Sequence, residues 1–400
     1  MNILQLHAGY RIPAGEDTVV AAEAAVLRHG GHEVVQHLAH NPPGSVDAIK
    51  VLARSLDNRQ QYRRVRDLLD EHQPDLAHLH NTWFSLSTSV IDAIADHGTP
   101  LAVTVHNYRL GCLNSTLFRG SSVCTACVDR TPWSGVVHGC YRDSRVLSAI
   151  AATEVMVSRR RGVLERVDRF VAPSRFMADR LVDIGVPADR LVIKPHFTDD
   201  PGPRAAPPSA SCDVVFIGRL APGKGLETLL RAWDRASSTP DFDLRLTVVG
   251  DGPLADLARE AAPRGVDFVG WIDSSEVRER LLRARAFAFP SEWYEPFGMV
   301  LLEAMSAGVP IVATTSSDAP RITNTPSSLI APGSDEHALA ECILRLDDTT
   351  VDEVGAAART RFEREYAPAR GLAALETLYQ ALIDRSGPGA DPWQQDGVDS

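Results

Sequence analysis

The sequence predicts an α/β fold made of two doubly wound domains, and three features of its 400 residues agree on this. Short apolar runs alternate with amphipathic segments, which is typical of parallel sheets covered by helices. The alternation stops in a stretch rich in proline and glycine, 199–210, and then restarts. The length suffices for two full hydrophobic cores. We therefore expect a first domain over 1–198, a linker over 199–210 and a second domain over 211–367.

The first domain should hold a parallel sheet whose strands recur at short intervals. The predicted strands are Ile3–His7, Glu33–His37, Leu76–His80, Leu101–His106, Arg169–Ala172 and Leu191–Lys194. The predicted helices are Asp17–His29 and a long one from about Ser144 to Arg166. Between the strand that ends at His106 and this long helix, the segment of about 107–143 has little periodicity and is predicted to be an insertion.

The second domain repeats the pattern. Its predicted strands are Asp213–Ile217, Leu244–Val249, Asp267–Val269, Ala286–Phe289 and Pro310–Ala313, and its helices include Leu226–Ala236, Asp335–Leu346 and Asp352–Glu365. Pro368 then interrupts, and an amphipathic helix is expected over Leu372–Ile383. It has no obvious neighbour in the second sheet, so 368–385 is predicted to pack on the first domain. The tail, 386–400, is expected to be disordered.

Composition excludes several classes of protein. With 44% hydrophobic and 23% charged residues the chain is typical of globular proteins, and its net charge of -11 argues against a general nucleic-acid binder. No apolar run approaches the roughly 20 residues of a membrane span. The N-terminus is predicted to be a strand and lacks the features of a signal peptide, so the cytoplasm is the expected compartment.

Two glutamates, Glu295 and Glu303, flank a predicted helix start. Pro296 suits the first helical position and Gly308 suits the stop. Glu303 falls beside the apolar stripe of this helix, so it should be more than a solvated charge. A helix N-terminus favours an anion, and the two carboxylates would accept hydroxyl groups on either side of it. This pattern indicates a sugar nucleotide as ligand.

Glycine-rich turns follow three strands of the second domain. Gly218 ends the first strand and opens a loop that carries Arg219 and Lys224, two cations suited to a diphosphate. Gly250 follows the next strand and would permit close approach of a ligand. The backbone at Val269 could bind the edge of a nucleobase. Ordinary turn chemistry remains an alternative for each turn taken singly.

Together these residues resemble the retaining GT-B glycosyltransferases of family 4. The resemblance covers nearly the whole chain and is carried by four motifs in order: Gly218-Arg219…Lys224-Gly225, Gly250-Asp251-Gly252, Phe268-Val269-Gly270 and Glu295 to Glu303. It implies a GT-B fold, in which two Rossmann-like domains face each other across a cleft that holds the ligands.

The resemblance also implies roles for individual residues. Arg219 and Lys224 would hold the donor diphosphate, and Glu303 the ribose hydroxyls. Glu295 would bind the transferred sugar and stabilise charge at its anomeric carbon. Backbone N–H groups of three consecutive residues would bind the sugar or phosphate; these are Phe297, Gly298 and Met299.

Two further positions belong to the first domain. The loop Ala8–Asp17 resembles the glycine-rich loop of the family, but Ala14 precedes Gly15 where an adjacent glycine pair is usual, which leaves Gly9 and Gly15 as candidates to bind phosphate. His106, at a strand end, would lie near the transferred sugar. A histidine satisfied by backbone groups is the alternative for His106.

Four cysteines, Cys112, Cys124, Cys127 and Cys140, crowd into the predicted insertion. Their spacing suits a structural zinc site, while buried or loosely paired thiols are the alternative. A similar cysteine-bearing insertion occurs in a subset of the family.

A basic stretch, Arg159–Arg161 with Arg166 and Arg169, could touch a membrane at its inner face, as in relatives that glycosylate lipids. We favour the alternative of a solvated helix face whose arginines pair with neighbouring carboxylates, namely Glu154, Glu165 and Asp168.

The sequence thus predicts a hexosyltransferase that moves a sugar from a nucleotide-diphosphate donor to an acceptor hydroxyl with retention. The candidate catalytic residues are Glu295, Lys224, Arg219 and His106. No cofactor is required by this chemistry. The acceptor (a glycan, a lipid-linked intermediate or a natural product) stays open, as do two alternatives: a nucleotide-sugar epimerase and a catalytically silent binding protein.

Overall fold

A computed structural model describes residues 1–9, 15–40, 57–83, 85–128 and 131–384. The chain divides into two compact units. Unit 1 comprises Met1–Leu117, Cys124–His196 and the chain from Gly371 on, and unit 2 comprises Phe118–Val123 and Phe197–Arg370. The predicted disordered tail and the centre of the first glycine-rich loop, residues 10–14, lie outside the described residues.

Unit 1 contains a six-stranded parallel sheet in the order β2-β1-β3-β4-β7-β8. Its strands are β1 Asn2–Gly9, β2 Glu33–His40, β3 Leu76–Asn81, β4 Leu101–Thr104, β7 Arg169–Ala172 and β8 Leu191–Ile193. The helices that precede unit 2 are α1 Gly15–His29, α2 Arg59–His72, α3 Ser89–His97, α4 Trp133–Val137, α5 Arg145–Arg160 and α6 Arg175–Ile184. A two-stranded hairpin, β5 Phe118–Arg119 with β6 Ser122–Val123, interrupts this series and groups with unit 2.

Unit 2 contains a second six-stranded parallel sheet, in the order β11-β10-β9-β12-β13-β14. Its strands are β9 Asp213–Ile217, β10 Arg245–Val249, β11 Val266–Gly270, β12 Ala286–Phe289, β13 Ile311–Thr314 and β14 Ile330–Ala331. Its helices are α7 Leu226–Ser237, α8 Ala255–Glu260, α9 Ser274–Arg283, α10 Met299–Ser306, α11 Ala319–Thr323, α12 Glu336–Leu344 and α13 Asp348–Arg361. The predicted class of two doubly wound α/β domains is therefore confirmed.

The strand order of unit 2 predicts which edge of its sheet binds a ligand. The sheet grows outwards in one direction from β9 and in the other from β12, and these two strands are neighbours. Such a reversal leaves a crevice beyond the carboxyl ends of the two strands, where doubly wound domains bind ligands. The loops that follow β9 and β12 therefore flank the predicted crevice.

The last helix, α14 Pro368–Ile383, belongs to unit 1 from Gly371 on, although it follows unit 2 in the sequence. Tyr379 is fully buried, and its hydroxyl lies 2.7 Å from Nδ1 of His78 on β3. Glu376 bonds His32 at 2.9 Å. The sequence analysis expected Pro368 to be an interruption before the helix. In the structure Pro368 is the first residue of the helix, because a proline costs no hydrogen bond in the first turn.

The stretch predicted to be a linker lies against unit 2. Arg204 donates to the carbonyl oxygens of Gly308 at 3.0 Å and Ala284 at 2.8 Å. Asp200 accepts from Arg359 on α13 at 2.6 Å. Its composition suggests flexibility, but these charged side chains anchor the backbone to the surface of the domain.

Several predicted element boundaries are wrong, and three of them are instructive. The long helix ends at Arg160 and not at Arg166, since Gly162 has a φ of 62° and a separate 3₁₀ turn follows. β4 ends at Thr104, two residues before His106. α10 begins at Met299, so Pro296 lies before the helix and not at its first position. Among the described residues, none of the helices is both long and apolar enough to cross a bilayer.

Candidate donor-binding site

The loops that follow β9 and β12 are held together by close backbone contact. Gly225, which caps the start of α7, has a φ of 76°. A Cβ atom at this position would lie 1.8 Å from the carbonyl oxygen of Pro290, which follows β12. Only glycine allows both this backbone conformation and this approach. The contact brings Lys224, its chain neighbour, to the exit of β12.

Lys224 and Glu295 form an ion pair at this point. The ammonium nitrogen of Lys224 lies 2.6 Å from Oε2 of Glu295. Glu295 is 8% exposed. The same oxygen accepts a hydrogen bond from the indole of Trp293 at 2.7 Å and a longer one from Ser291 at 3.5 Å. A carboxylate with three donors is fixed in orientation. The sequence predicted both charged residues for the site but did not predict that they bond each other.

Trp293 is a site residue that the sequence analysis missed. Besides its bond to Glu295, its ring lies 4.7 Å from the ammonium group of Lys224, within the range of a cation–π contact. The signal in the sequence would have been an aromatic residue two positions before the first glutamate. Trp293 thus positions both members of the ion pair.

Glu303 lies on α10, one turn from the start of the helix. Gly298 caps this helix with a φ of 90°. Glu303 is half-buried, and burial raises the pKa of its carboxyl group, while Arg278 on α9 opposes that rise. The expectation that it is more than a solvated surface charge is met. Phe297 is buried in the core, and Met299 is the first helical residue.

The other predicted donor contacts occupy mixed environments. Arg219 is exposed, and the described residues offer no partner to its guanidinium group. Gly250 has a φ of 134°, and a Cβ atom there would lie 1.9 Å from the carbonyl oxygen of Gly218. Gly250 therefore lets the turn after β10 pack closely against the turn after β9. This contact explains the glycine at position 250 without any bound ligand. Val269 is 37% exposed at the end of β11.

In unit 1, the predicted histidine belongs to a cluster. His106 lies just beyond β4 with its Nε2 3.1 Å from Nδ1 of His80 on β3, and its ring stacks on His80 and on His196, each at a centroid distance of 5.4 Å. Burial lowers the pKa of His106 to about 3. A neutral imidazole suits hydrogen bonding to a hydroxyl group. Gly15 is the first residue of α1 and is exposed.

The four clustered cysteines lie in the predicted insertion, between β4 and α5. None of the six cysteines forms a disulfide. Cys112 donates to Oδ1 of Asn114 at 2.9 Å, and burial raises the pKa of its thiol. In the part of the chain that is described, one group of metal-binding side chains has its ligand atoms within 4.8 Å of one another. This group consists of Glu23, His78 and His80 and contains none of the cysteines. The zinc site at the cysteines stays a prediction.

The basic stretch pairs differently from the expectation. Arg159 donates to the carbonyl oxygens of Leu110 and Ile184, each at 3.4 Å. Glu154, expected to be a solvated partner, is buried and accepts a bond from Ser158 at 3.4 Å. The carboxylate of Asp168 accepts from the backbone N–H of Leu101 at 2.8 Å. The prediction that Glu154 lies on a solvated face was therefore wrong, because the helix buries the face on which it lies.

Comparison with known proteins finds glycosyltransferase domains in both halves of the chain. A family model described as glycosyl transferases group 1 matches residues 211–348, and one described as a glycosyl transferase 4-like domain matches residues 14–196. A phosphatidyl-myo-inositol mannosyltransferase of Mycobacterium leprae is 24% identical over 84% of each chain. A GDP-mannose-dependent monoacylated alpha-(1-6)-phosphatidylinositol monomannoside mannosyltransferase of Corynebacterium glutamicum is 31% identical, over 38% of this chain and 43% of that protein. A glycogen synthase of Mycobacterium tuberculosis is 34% identical, over 37% of each chain.

Solved structures share the fold. A sucrose-phosphate synthase from Thermosynechococcus elongatus superposes with a TM-score of 0.71 at 19% identity, over 96% of this chain and 100% of that one. The Anabaena protein HepE in complex with UDP gives a TM-score of 0.65 at 16% identity, over 95% of this chain and 100% of that one. These likenesses show the GT-B fold, and the matched models place glycosyltransferase domains in both halves of the chain.

Proposed function

We propose, from the glycosyltransferase domain models that match both halves of this chain, that it transfers a hexose from a nucleoside-diphosphate sugar to an acceptor hydroxyl with retention at the anomeric carbon. The observation that carries the proposal is the Lys224–Glu295 pair at the strand reversal of unit 2, one short loop before the helix that carries Glu303. A cation, a fixed carboxylate and a half-buried carboxyl group are the groups that a diphosphate, a sugar and a ribose require.

The residues of unit 2 divide the work as follows. Lys224, joined by Arg219 when the donor binds, stabilises the negative charge that forms on the leaving diphosphate. Glu295 binds hydroxyl groups of the transferred sugar and moderates positive charge at its anomeric carbon. Glu303 holds the ribose. Backbone N–H groups at the start of α10 complete the donor site; these belong to Phe297, Gly298 and Met299.

Transfer proceeds by attack of the acceptor oxygen on the same face of the sugar that the diphosphate leaves. The bond from the anomeric carbon to the phosphate oxygen breaks, and a bond from that carbon to the acceptor oxygen forms. The proton of the acceptor hydroxyl passes to the leaving phosphate. The protein contributes position and charge stabilisation, and no cofactor takes part in this scheme.

The donor is proposed to be a hexose nucleotide, and the acceptor a glycan or a lipid-linked intermediate. Relatives named as mannosyltransferases of phosphatidylinositol derivatives and as glycogen synthases support both acceptor classes. We propose the cytoplasm as the compartment, since none of the six cysteines forms a disulfide in the structure.

A thermal-shift screen against UDP-, GDP- and ADP-linked hexoses tests the proposal. The true donor should raise the melting temperature of the protein, since a ligand that binds only the folded state stabilises it. Turnover with that donor is then measured with candidate acceptors, and the anomeric configuration of the product is read by NMR. A product with inverted configuration would reject retention. An isomerised sugar formed without any acceptor would identify an epimerase instead.

Two site variants separate binding from chemistry. Glu303→Ala should weaken donor binding by roughly tenfold, the value of one or two lost hydrogen bonds. Lys224→Ala should lower kcat by about 10²–10³-fold, because its charge acts on the leaving group. Arg231→Ala removes an exposed cation of α7 that pairs with Glu336 outside the site and serves as the matched control. Normal turnover in both site variants would show that the site is assigned wrongly.

A further inference from the structure

Hydrogen bonds between side chains connect the surface of unit 1 to its buried histidines. Arg28 on α1 donates to Oε1 of Gln36 on β2 at 3.1 Å. Gln36 donates through Nε2 to Oε1 of Gln5 on β1 at 2.7 Å. Gln5 is 1% exposed, so its amide is held by protein groups alone. Because arginine has no acceptor, the contact with Arg28 fixes which end of the Gln36 amide faces Gln5.

The orientation of the Gln5 amide is fixed a second time, independently. Its Nε2 lies 3.3 Å from the carbonyl oxygen of Val20, which can only accept. The same Nε2 lies 3.3 Å from Nε2 of His80. An amide nitrogen cannot accept a hydrogen bond, so the ring nitrogen of His80 must be the acceptor. His80 is neutral, since burial lowers its pKa well below the usual value. Its proton therefore lies on Nδ1.

The direction of the remaining bond follows. Nδ1 of His80 lies 3.1 Å from Nε2 of His106, and because His80 carries its proton on Nδ1, it donates to His106. His106 accepts on Nε2, so a neutral His106 carries its proton on Nδ1. His80 is 4% exposed, whereas His106 is partly exposed, so the last bond of the series leads from a buried ring to a more accessible one.

We propose that Gln5 is a positioning residue, which acts through His80 to hold His106 in the tautomer that presents an Nδ1–H donor. The inference rests on the proposed function only in giving that donor a use, which is to bind a hydroxyl group of the sugar or the acceptor. The tautomer itself is a property of unit 1 and can be measured without substrate.

A metal ion explains this cluster less well. Glu23, His78 and His80 bring ligand atoms within 4.8 Å of one another. However, Lys194 already holds Glu23 through a 2.5 Å contact, and its charge would repel a cation. Both ring nitrogens of His78 are bonded, one to Tyr379 and one to Thr104, each at 2.7 Å.

The carboxylate of Glu23 nevertheless provides a sharp test. Its Oε2 has no hydrogen-bond partner among the described residues and lies 3.6 Å from Nε2 of His80. In Gln5→Met the amide donor is lost, and Oε2 becomes the nearest acceptor for that nitrogen. The proton of His80 should then move to Nε2, its Nδ1 should accept from His106, and His106 should switch to the Nε2–H tautomer.

The measurement is long-range ¹H–¹⁵N correlation NMR on histidine-labelled full-length protein, which distinguishes protonated from unprotonated ring nitrogens. His106→Gln assigns the signals. We expect the Nδ1–H form of His106 in the wild type and the Nε2–H form in Gln5→Met. Gln61→Met is the matched control, since it removes a bond between a glutamine and His37, at 2.8 Å, elsewhere in unit 1. It should leave His106 unchanged.

Each outcome of the NMR measurement either supports or overturns the proposed role of Gln5. An Nε2–H form in the wild type overturns the inference, even if Gln5→Met fails to fold. No switch in a folded Gln5→Met, or a switch in Gln61→Met, also overturns it. Activity separates the two proposals: Gln5→Met should lower kcat by at least about tenfold, the value of one hydrogen bond, without changing KM for the donor. A switch of tautomer with unchanged kcat would leave the tautomer assignment standing and reject the proposed use of the His106 donor in binding a hydroxyl group.

Discussion

Glu154 on α5 carries a carboxyl group whose titration should be visible in the stability of the protein. Burial raises its pKa to about 7 from the usual 4.5 of a glutamate, although Arg109 and Ser158 oppose that rise. The folded state therefore holds a proton that the unfolded state has already lost. The stabilisation of the folded state by protonated Glu154 is fully present below pH 4.5 and is lost as the pH rises towards 7. The difference is about 3 kcal/mol at 1.36 kcal/mol per pKa unit.

We therefore expect Glu154→Gln to raise the melting temperature relative to the wild type at pH 8, and to have little effect at pH 4.5. A neutral amide avoids the cost of ionising a buried group. Thermal denaturation followed by circular dichroism across this pH range measures the effect. Glu165→Gln, at an exposed position shortly after the same helix, controls for loss of charge. A stabilisation that is equal at both pH values would contradict the argument.

Single residues differ in how far their sequence context predicts them. The half-burial of Glu303 follows from its place beside an apolar stripe, which is a local property of one helix. The role of Trp293 does not, because its indole contacts Lys224, which is distant in the sequence. The burial of Glu154 was also missed, since it depends on what covers α5.

At the scale of elements, the start of α10 tests how the donor loop is built. Gly298 has a φ of 90°, and a Cβ atom there would lie 3.0 Å from the ring of Phe289. We expect Gly298→Ala to destabilise the protein by roughly 1–3 kcal/mol through backbone strain. The crowding should also shift the loop before α10 and reduce the thermal stabilisation by the donor.

Gly98→Ala is the matched control for this prediction. Gly98 has a similar φ of 83°, caps α3 in unit 1, and a Cβ atom there would meet nothing within 4 Å. It should lower the melting temperature through strain alone and leave the donor-induced shift intact. An equal loss of donor stabilisation in both variants would argue against a special role for the start of α10.

The cysteine insertion is the element that the sequence predicts least completely. Spacing alone predicts zinc at Cys112, Cys124, Cys127 and Cys140, and thiolates bound by zinc would offset the raised pKa of Cys112. We expect about one zinc per chain by plasma emission spectroscopy of the purified protein, lost in the double variant Cys124→Ser/Cys127→Ser and kept in Cys212→Ser. Less than about a tenth of an equivalent in the wild type would reject the site.

Element type was predicted better than element ends. All strands of both sheets except the two-residue β14 were recognised, because apolar runs between turn residues are local signals. The helix over Arg59–His72 was missed, since most of its residues are polar and its buried residues are only Val65, Leu68 and Leu69. The docking of the linker was missed as well, because its anchors are charged side chains that bond groups distant in the sequence.

At the scale of the whole molecule, charge argues against stable membrane binding. The net charge is -11, and much of the basic stretch is engaged within unit 1: Arg166 bonds Asp92 at 3.1 Å and Asp96 at 3.4 Å. The exposed members of the helix end are Arg160 and Arg161. An arginine near an anionic surface contributes about 1 kcal/mol, so two give about 2 kcal/mol, which is too little for anchoring.

We therefore expect the protein to stay unbound in vesicle flotation at physiological salt, both with phosphatidylcholine alone and with phosphatidylserine added. At low salt a fraction should float with the anionic vesicles, because screening weakens and the remaining arginines act over a longer distance. The variant Arg160→Glu/Arg161→Glu should abolish that fraction, whereas Arg283→Glu, an exposed arginine at the end of α9, should not. Salt-resistant flotation of the wild type that depends on Arg160 and Arg161 would instead make this helix end a membrane contact.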